Sequence, residues 1–365
     1  MKGAIIDLNN ETYTFYVEEH KKYCRSKDYN FLFDKDTGYF ARWGRTYADN
    51  PRYSPVGPEI LDLEISINGC PNECKFCYKA NSNRPATNMS FADFKNIVDK
   101  MPPTLTQIAF GITGVQTNPD FVRMLKYCRE KGIVPNFTLS GIDLTDDLAD
   151  EIAKHVGAVA VSAYQSNKEV CYDTVKKFVD RGVAQTNIHV MVSQETLPFV
   201  YEVLNDVQNS PKLSKLNAVV FLGVKPKGRA RTGFKPLGIA SFKELVAYSL
   251  NHNVHIGFDS CSAPKFDATV RELKMPEVWK SRMLGLSESC ESALFSAYIN
   301  VHGEMWYCSF SEHEPNVAPV NVLDANDFIK DVWYASQTVG FRNRVLASAD
   351  KHGCRRCVTF PEINI

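Results

Sequence analysis

The chain has 365 residues, 44% of them apolar and 23% charged, which is enough for one large globular domain with additions or for two domains. Lys+Arg and Asp+Glu balance at 42 each, so no overall charge draws the protein to nucleic acid or to an anionic membrane surface. No apolar run approaches the roughly 20 residues of a membrane span, and the N-terminal apolar stretch is too short for a signal peptide, so a cytoplasmic location is expected.

Residues 1–60 read as a small N-terminal extension. Within it, FLFDKDTGYFARWG sets two aromatic runs around Asp36-Thr37-Gly38, a hairpin pattern, and NPRYSPVGPE (50–59) is a proline-rich connector. From residue 61 apolar strand-like runs alternate with amphipathic helical ones. Strands are expected at 61–67, 106–110, 134–140, 158–163, 187–193 and 218–224, with a short seventh at 255–258. Most are continuously apolar, as in parallel strands buried on both faces. Ser90 with Asp93 predicts a helix start, as does Ser241 with Glu244. Asn118 before Pro119 predicts another, ended by Gly132. Six strand–helix units over 61–260 predict an α/β fold, a parallel barrel or open parallel sheet. The rhythm stops there. Residues 261–365 carry short apolar runs, one expected helix near 325–337 and a group of cysteines, the composition of a small metal-organised domain.

A reducing compartment leaves the eleven cysteines as thiols or metal ligands rather than disulfides. Cys70, Cys74 and Cys77 follow the first barrel strand in a C-x3-C-x2-C spacing. Loops at the carboxyl ends of parallel strands build active sites. Three thiolates suit three irons of a [4Fe–4S] cluster and leave the fourth open to a small molecule.

Cys70-x3-Cys74-x-Phe76-Cys77 on that loop of that fold resembles the cysteine motif of the radical S-adenosylmethionine (SAM) superfamily. The resemblance implies a partial (β/α)6 barrel and a [4Fe–4S] cluster that binds SAM. It also implies reductive cleavage of SAM to a 5′-deoxyadenosyl radical that abstracts a hydrogen atom. The backbone at Phe76 would reach the adenine. Where the family has Gly-Gly-Glu, this chain has FGITGVQTNPD (110–120). Gly111 and Gly114 fit a close backbone approach, but the Glu is absent, leaving Thr113 or Gln116 for the SAM ammonium. Ser140 and Ser162, at the ends of strands three and four, are candidate ribose or carboxylate contacts. VKPKGRARTG (224–233) resembles a Pro-x-Gly-Arg-Ala segment of such enzymes, and Arg229 would clamp a carboxylate.

The second cysteine group reads Cys290-x12-Gly303-x4-Cys308, then Cys354-x2-Cys357. Four thiols close either a zinc or an iron–sulfur site. Behind a radical SAM barrel the pattern resembles the SPASM/twitch domains, and four cysteines fit the shorter twitch form. That implies one auxiliary [4Fe–4S] cluster, which accepts the second electron of an oxidation. Asp259 and Cys261, after the last strand, are candidates to deprotonate a substrate radical, Cys261 being equally readable as a small buried side chain. Cys128, Cys171 and His189 read as core residues. The expected activity is cross-linking or dehydrogenation of a peptide or protein side chain, fed by a one-electron donor such as flavodoxin or ferredoxin. The alternatives are a small-molecule dehydrogenase, or RNA or nucleotide modification through Lys225, Lys227, Arg229 and Arg231.

Overall fold

The computed structural model describes residues 2–46, 48–72 and 74–364. Its N-terminal segment is larger than the expected hairpin. Strands β1 (Lys2–Leu8), β2 (Glu11–Val17), β3 (Lys21–Arg25), β4 (Asn30–Asp34) and β5 (Phe40–Trp43) form an antiparallel sheet in sequence order. The aromatic hairpin is its β4–β5 unit. The β1–β2 turn is Asn9-Asn10, both at positive φ, the backbone a two-residue hairpin needs. Phe15, Phe31 and Phe33 are fully buried on one face.

This sheet is fastened to the rest through Glu59. Arg42 grips its carboxylate with Nε at 2.8 Å and Nη2 at 2.7 Å, and the Tyr29 hydroxyl donates to it at 2.6 Å. The connector is held by the C-terminal segment, where Trp333 Nε1 donates to Ser54 O at 2.9 Å and Tyr334 to Pro55 O at 3.0 Å.

The central sheet has ten strands. Seven parallel strands run β14 (Ile256–Phe258), β13 (Ala218–Gly223), β12 (Gln185–Val192), β11 (Ala158–Ala163), β10 (Val134–Leu139), β9 (Gln107–Gly111) and β6 (Ile60–Glu64). All seven lie where the apolar runs predict. Between β6 and β9, the short pair β7 (Ser66–Ile67) and β8 (Thr87–Asn88) closes the base of a loop. Beyond β6 the sheet continues with β15 (Ser296–Ile299), parallel to β6, then antiparallel β16 (Glu304–Trp306) and β17 (Val320–Asn321). The C-terminal segment thus extends the barrel sheet.

Helices α1 (Phe91–Lys100), α2 (Phe121–Glu130), α3 (Asp146–Ala153), α4 (Lys168–Asp180), α5 (Leu197–Asn209) and α6 (Ile239–Asn251) alternate with the parallel strands, and α7 (Ala263–Glu272), α8 (Glu277–Gly285) and α9 (Ser336–Ala347) follow. A run of ring contacts, Phe94–Phe110–Phe121–Phe137–Phe178, joins α1, β9, α2, β10 and α4 at centroid distances of 5.2–6.2 Å. Each such buried side chain contributes about 1.5–3 kcal/mol. Cys128 and Cys171 belong to this core, as expected.

Of the three expected helix starts, one holds and two read differently in the structure. Ser90 does cap α1, accepting the Asp93 N–H at 3.1 Å. Asn118 does not cap α2, which starts at Phe121; its Nδ2 instead donates to Ile65 O and Met89 O at 2.9 and 3.0 Å, pinning the base of the β6 loop. Ser241 lies inside α6, which begins at Ile239 behind Gly238. The helix expected near 325–337 is a π-helical turn (Phe328–Trp333) followed by α9.

Candidate active site

The residues after β6 fold back on themselves. Gly69 N–H donates to Arg84 O at 2.7 Å and Cys70 N–H to Ser82 O at 3.0 Å, so Cys70, Cys74 and Cys77 share one tight loop. All three thiols are partly buried. Burial raises Cys70 and pushes Cys74 up to about 11, the Tyr164 hydroxyl beside Cys74 partly opposing it.

The segment after β13 braces this loop. Arg229 donates its backbone N–H to Cys77 O at 3.0 Å, Nε to Cys74 O at 2.8 Å and Nη1 to Asn81 O at 2.8 Å. Gly228, at φ +57°, lies so close that a β-carbon would overlap the carbonyl oxygens of Tyr78 and Cys77. Arg229 therefore spends two of its nitrogens on the loop itself. The third, Nη2, is buried without a partner.

The other predicted residues lie in the loop itself or at the ends of the neighbouring strands. Phe76 packs its ring against Tyr164 and Phe234, at 5.2 and 5.7 Å between centroids. Asn167 Nδ2 donates to the carbonyls of Ser140 and Ser162 at 3.3 and 3.2 Å, tying the ends of β10 and β11 together. Ser140 Oγ is buried and unpartnered. Gly111 sits against Glu64, where a β-carbon would stand 3.3 Å from Cα. A β-carbon on Gly114 would come within 2.5 Å of Asp143 Oδ2.

Asp143 escaped the sequence reading. Its Oδ2 accepts the Gln116 N–H at 3.0 Å, and its charge reaches Cys70. Its Oδ1 is buried without a partner. The two side chains weighed for the missing Glu are otherwise engaged: Thr113 Oγ1 with Ser66 Oγ at 3.3 Å, Gln116 Nε2 with the Asp143 carbonyl. The only early signal for Asp143 is its place after the third strand.

Asp143 and Arg229 lie within electrostatic reach of Cys70, and each has one polar atom withdrawn from water and unpaired, as does the Ser140 hydroxyl at the end of β10. Orphaned buried polar atoms are costly and point to an absent partner. An amino acid zwitterion carried on a thiol-held cluster fits this donor set. Among the described residues, no three Cys, His, Asp or Glu side chains converge on one ion; thiolates of a cubane bind separate irons and do not have to.

A buried ionic network links the loop to β15. Lys79 Nζ pairs with Glu64 at 2.8 Å and with Glu312, and donates to the Tyr298 hydroxyl at 2.7 Å. Asn300 Nδ2 donates to Glu312 at 3.0 Å. Lys225 is paired with Asp259, and Lys227 with Glu314 at 3.0 Å. Both lysines are buried, so two of the four residues weighed as a nucleic-acid patch are turned inward. Asp259 also caps the turn after β14, its Oδ1 accepting the Ser262 N–H and Oγ–H at 3.1 and 2.6 Å.

Inside the barrel stand Asp62 and His189. Burial raises Asp62 to about 6 and lowers His189 to about 4. His189 Nδ1 is 3.4 Å from Thr138 Oγ1.

In the C-terminal segment, Cys290 precedes β15, Cys308 follows β16, and Cys354 and Cys357 follow α9. Cys261, in the turn after β14, stands within electrostatic reach of Cys290, Cys308, Cys357 and the Lys225 ammonium.

Residues 65–226 match the family model described as the radical SAM superfamily. No curated protein matches the chain in sequence. Among solved structures, the chain is similar to Streptococcus suis SuiB bound to the precursor peptide SuiA. The TM-score is 0.70 at 13% identity, covering 96% of this chain and 94% of that one. SuiB bound to SAM gives a TM-score of 0.67 at 15% identity over the same shares. Native anSMEcpe with bound AdoMet and the Cp18Cys peptide gives 0.58 at 14% identity, covering 78% of this chain and 82% of that one. Among the described residues, no helix is long and apolar enough to cross a membrane. Residues 65–226, which hold the Cys70–Cys77 loop, thus form a radical SAM domain, set in a fold similar to that of SuiB and anSMEcpe.

Proposed function

We propose that the protein cleaves SAM reductively and uses the resulting radical to oxidise a peptide or protein side chain. The observation that carries the reading is the set of unpaired buried atoms around the three thiols: Asp143 Oδ1 for the SAM ammonium, Arg229 Nη2 for its carboxylate, Ser140 Oγ for a hydroxyl. A [4Fe–4S] cluster held by Cys70, Cys74 and Cys77 supplies, when bound, the electron that splits SAM into methionine and a 5′-deoxyadenosyl radical.

The residues of the chain do the rest. Arg229 and Gly228 hold the cysteine loop in shape. Phe76, Tyr164 and Phe234 shield it from water. The substrate gives one hydrogen atom to the radical, forming 5′-deoxyadenosine, then releases one proton and one electron. The C-terminal thiols are suited to hold an auxiliary [4Fe–4S] cluster that takes that electron.

A peptide substrate is supported by two observations. The neighbours in fold include SuiB with a precursor peptide and anSMEcpe with a peptide. Strand β1 is an edge strand, paired only with β2 among the described residues, and its free side can accept an extended chain by strand addition.

The test is anaerobic reconstitution followed by an assay for 5′-deoxyadenosine with SAM and dithionite. About eight irons per chain are expected for two clusters. Replacing Cys70, Cys74 and Cys77 together by Ala should abolish SAM cleavage and leave the second iron complement in place. A fully loaded, reduced wild type that leaves SAM intact would sink the proposal.

A further inference from the structure

Successive side chains of a strand take opposite faces, and in the parallel sheet the two faces differ. Toward the helices, Leu61, Leu63, Ile108, Ile188 and Val219 are fully buried. On the inner side of the barrel, Asp62, Ala109, Thr138, His189, Val220 and Gly257 are all partly exposed. Register sets them side by side: Asp62 against Ala109, Thr138 against Ala160, and His189 against Val220, which meets Gly257. Thr138 on β10 and His189 on β12 approach each other across β11, where Ala160 leaves room. Two alanines and a glycine keep this level of the barrel open, where bulky branched side chains would fill it.

The hollow has a base and a mouth. Toward the amino ends of the strands, amides pair off, Asn136 Nδ2 with Gln107 Oε1 at 2.9 Å and Asn217 Nδ2 with Asn187 Oδ1 at 2.8 Å. Toward the carboxyl ends stands the cysteine loop, and the Asp62 charge reaches the hydroxyl of its Tyr78. Within the hollow, Asp62 makes no hydrogen bond and no ion pair with the described residues. Glu64, two residues on, has Lys79, and Asp259 has Lys225. A carboxylate kept from water without a partner is costly, and burial lifts this one to about 6. It is still charged at neutral pH. The imidazole of His189, held neutral by burial, brings no charge that would repel a cation.

We propose that this hollow is the side-chain pocket of the substrate, and that Asp62 receives an ammonium or guanidinium group in it. The modified peptide then carries a Lys or Arg side chain at the reacting residue or beside it. The inference rests on the proposed function for its peptide. A cation offsets the unpaired charge of Asp62, which a neutral donor leaves in place. It also accounts for a carboxylate kept at a cost to stability.

The test is equilibrium binding to the reconstituted full-length protein, with SAM present and no reductant. The probes are Nα-acetyl-lysine methylamide and its norleucine counterpart, which differ in the ammonium. The wild type should favour the lysine probe roughly 10- to 100-fold, the range of a hydrogen bond to a charged group, and Asp62→Asn should remove that preference. Equal binding of the two probes by the wild type overturns the pocket, as does a lysine preference that survives in a folded Asp62→Asn protein. Should the variant fail to fold, the wild type decides alone. Its preference should fade as the pH drops below about 6, where Asp62 takes up its proton. Of the groups facing Asp62, Tyr78 and Tyr298 are raised by burial and keep their protons, and Glu64 is held by Lys79. A preference that is constant from about pH 8 to about pH 5 overturns the assignment. Formation of 5′-deoxyadenosine is read separately. SAM cleavage without a lysine preference sinks the pocket alone, and a lysine preference without SAM cleavage bears out the pocket and sinks the proposed function.

Discussion

Asp143 Oδ2 accepts the backbone N–H of Gln116 at 3.0 Å, which leaves Oδ1 buried and unpaired within electrostatic reach of Cys70. In the proposed function that oxygen takes the place of the Glu this chain lacks. An ammonium–carboxylate hydrogen bond contributes about 1.5–3 kcal/mol. Asp143→Asn should therefore weaken SAM binding to the reconstituted protein roughly 10- to 100-fold, measured by calorimetry. Its thermal midpoint should hold, since the lost charge is unpaired without ligand. Unchanged SAM affinity would return the ammonium contact to another residue.

Gly228→Ala is expected to be severe and local. The position is at φ +57°, and the new methyl would strike the carbonyls of Tyr78 and Cys77. Either the cysteine loop or the Arg229 segment must move, which breaks the three bonds Arg229 makes. The variant should lose about four irons, those of the first cluster, and keep the second set. Iron and sulfide counts with wild-type values would contradict this.

The parallel strands were legible because strands covered on both faces are continuously apolar, as in AVAVSA and AVVFLG. The cysteine loop was legible from spacing alone. The N-terminal sheet was less so. KGAIIDL and ETYTFYV flank Asn9-Asn10, a usable turn signal, but the aromatic hairpin drew the reading to β4–β5. Asp143 carried no signal beyond its place after the third strand, and Tyr164 and the Lys79–Glu64–Glu312 network carried none. Each gains meaning from a partner distant in sequence, and Lys79 meets Glu312 across 233 positions. Arg229 illustrates the same limit. Its segment marked it as functional, but only the fold shows it bracing the loop with two nitrogens and leaving one free.

Lys79 is the sole cation paired with both Glu64 and Glu312 among the described residues, and all three are buried or nearly so. Lys79→Met leaves two carboxylates facing each other out of water, and burial already raises Glu64 with the lysine in place. Removing one partner of a buried pair costs about 3–5 kcal/mol. The urea midpoint should fall accordingly, and adding Glu312→Gln should restore part of it. A double variant no more stable than Lys79→Met would show that the two carboxylates are not coupled.

Asp62 and His189 predict opposite responses to acid. Asp62, raised by burial to about 6, binds its proton more tightly folded than unfolded, so its burden on stability grows as pH rises from about 4 to 6 and is constant above. His189, lowered by burial to about 4, is neutral when folded, so its burden grows as pH falls from about 6.5 to 4. The two slopes largely cancel in the wild type. Asp62→Asn removes one of them. Relative to wild type it should gain nothing near pH 4 and at most about 3 kcal/mol above pH 6, from a shift of about two units. Its own stability should fall more steeply on acidification below pH 6.5, and His189→Gln should flatten that fall. Urea unfolding at half-unit pH intervals measures both. An Asp62→Asn gain that is the same at pH 4 and pH 7 would mean that the carboxyl does not titrate in this window.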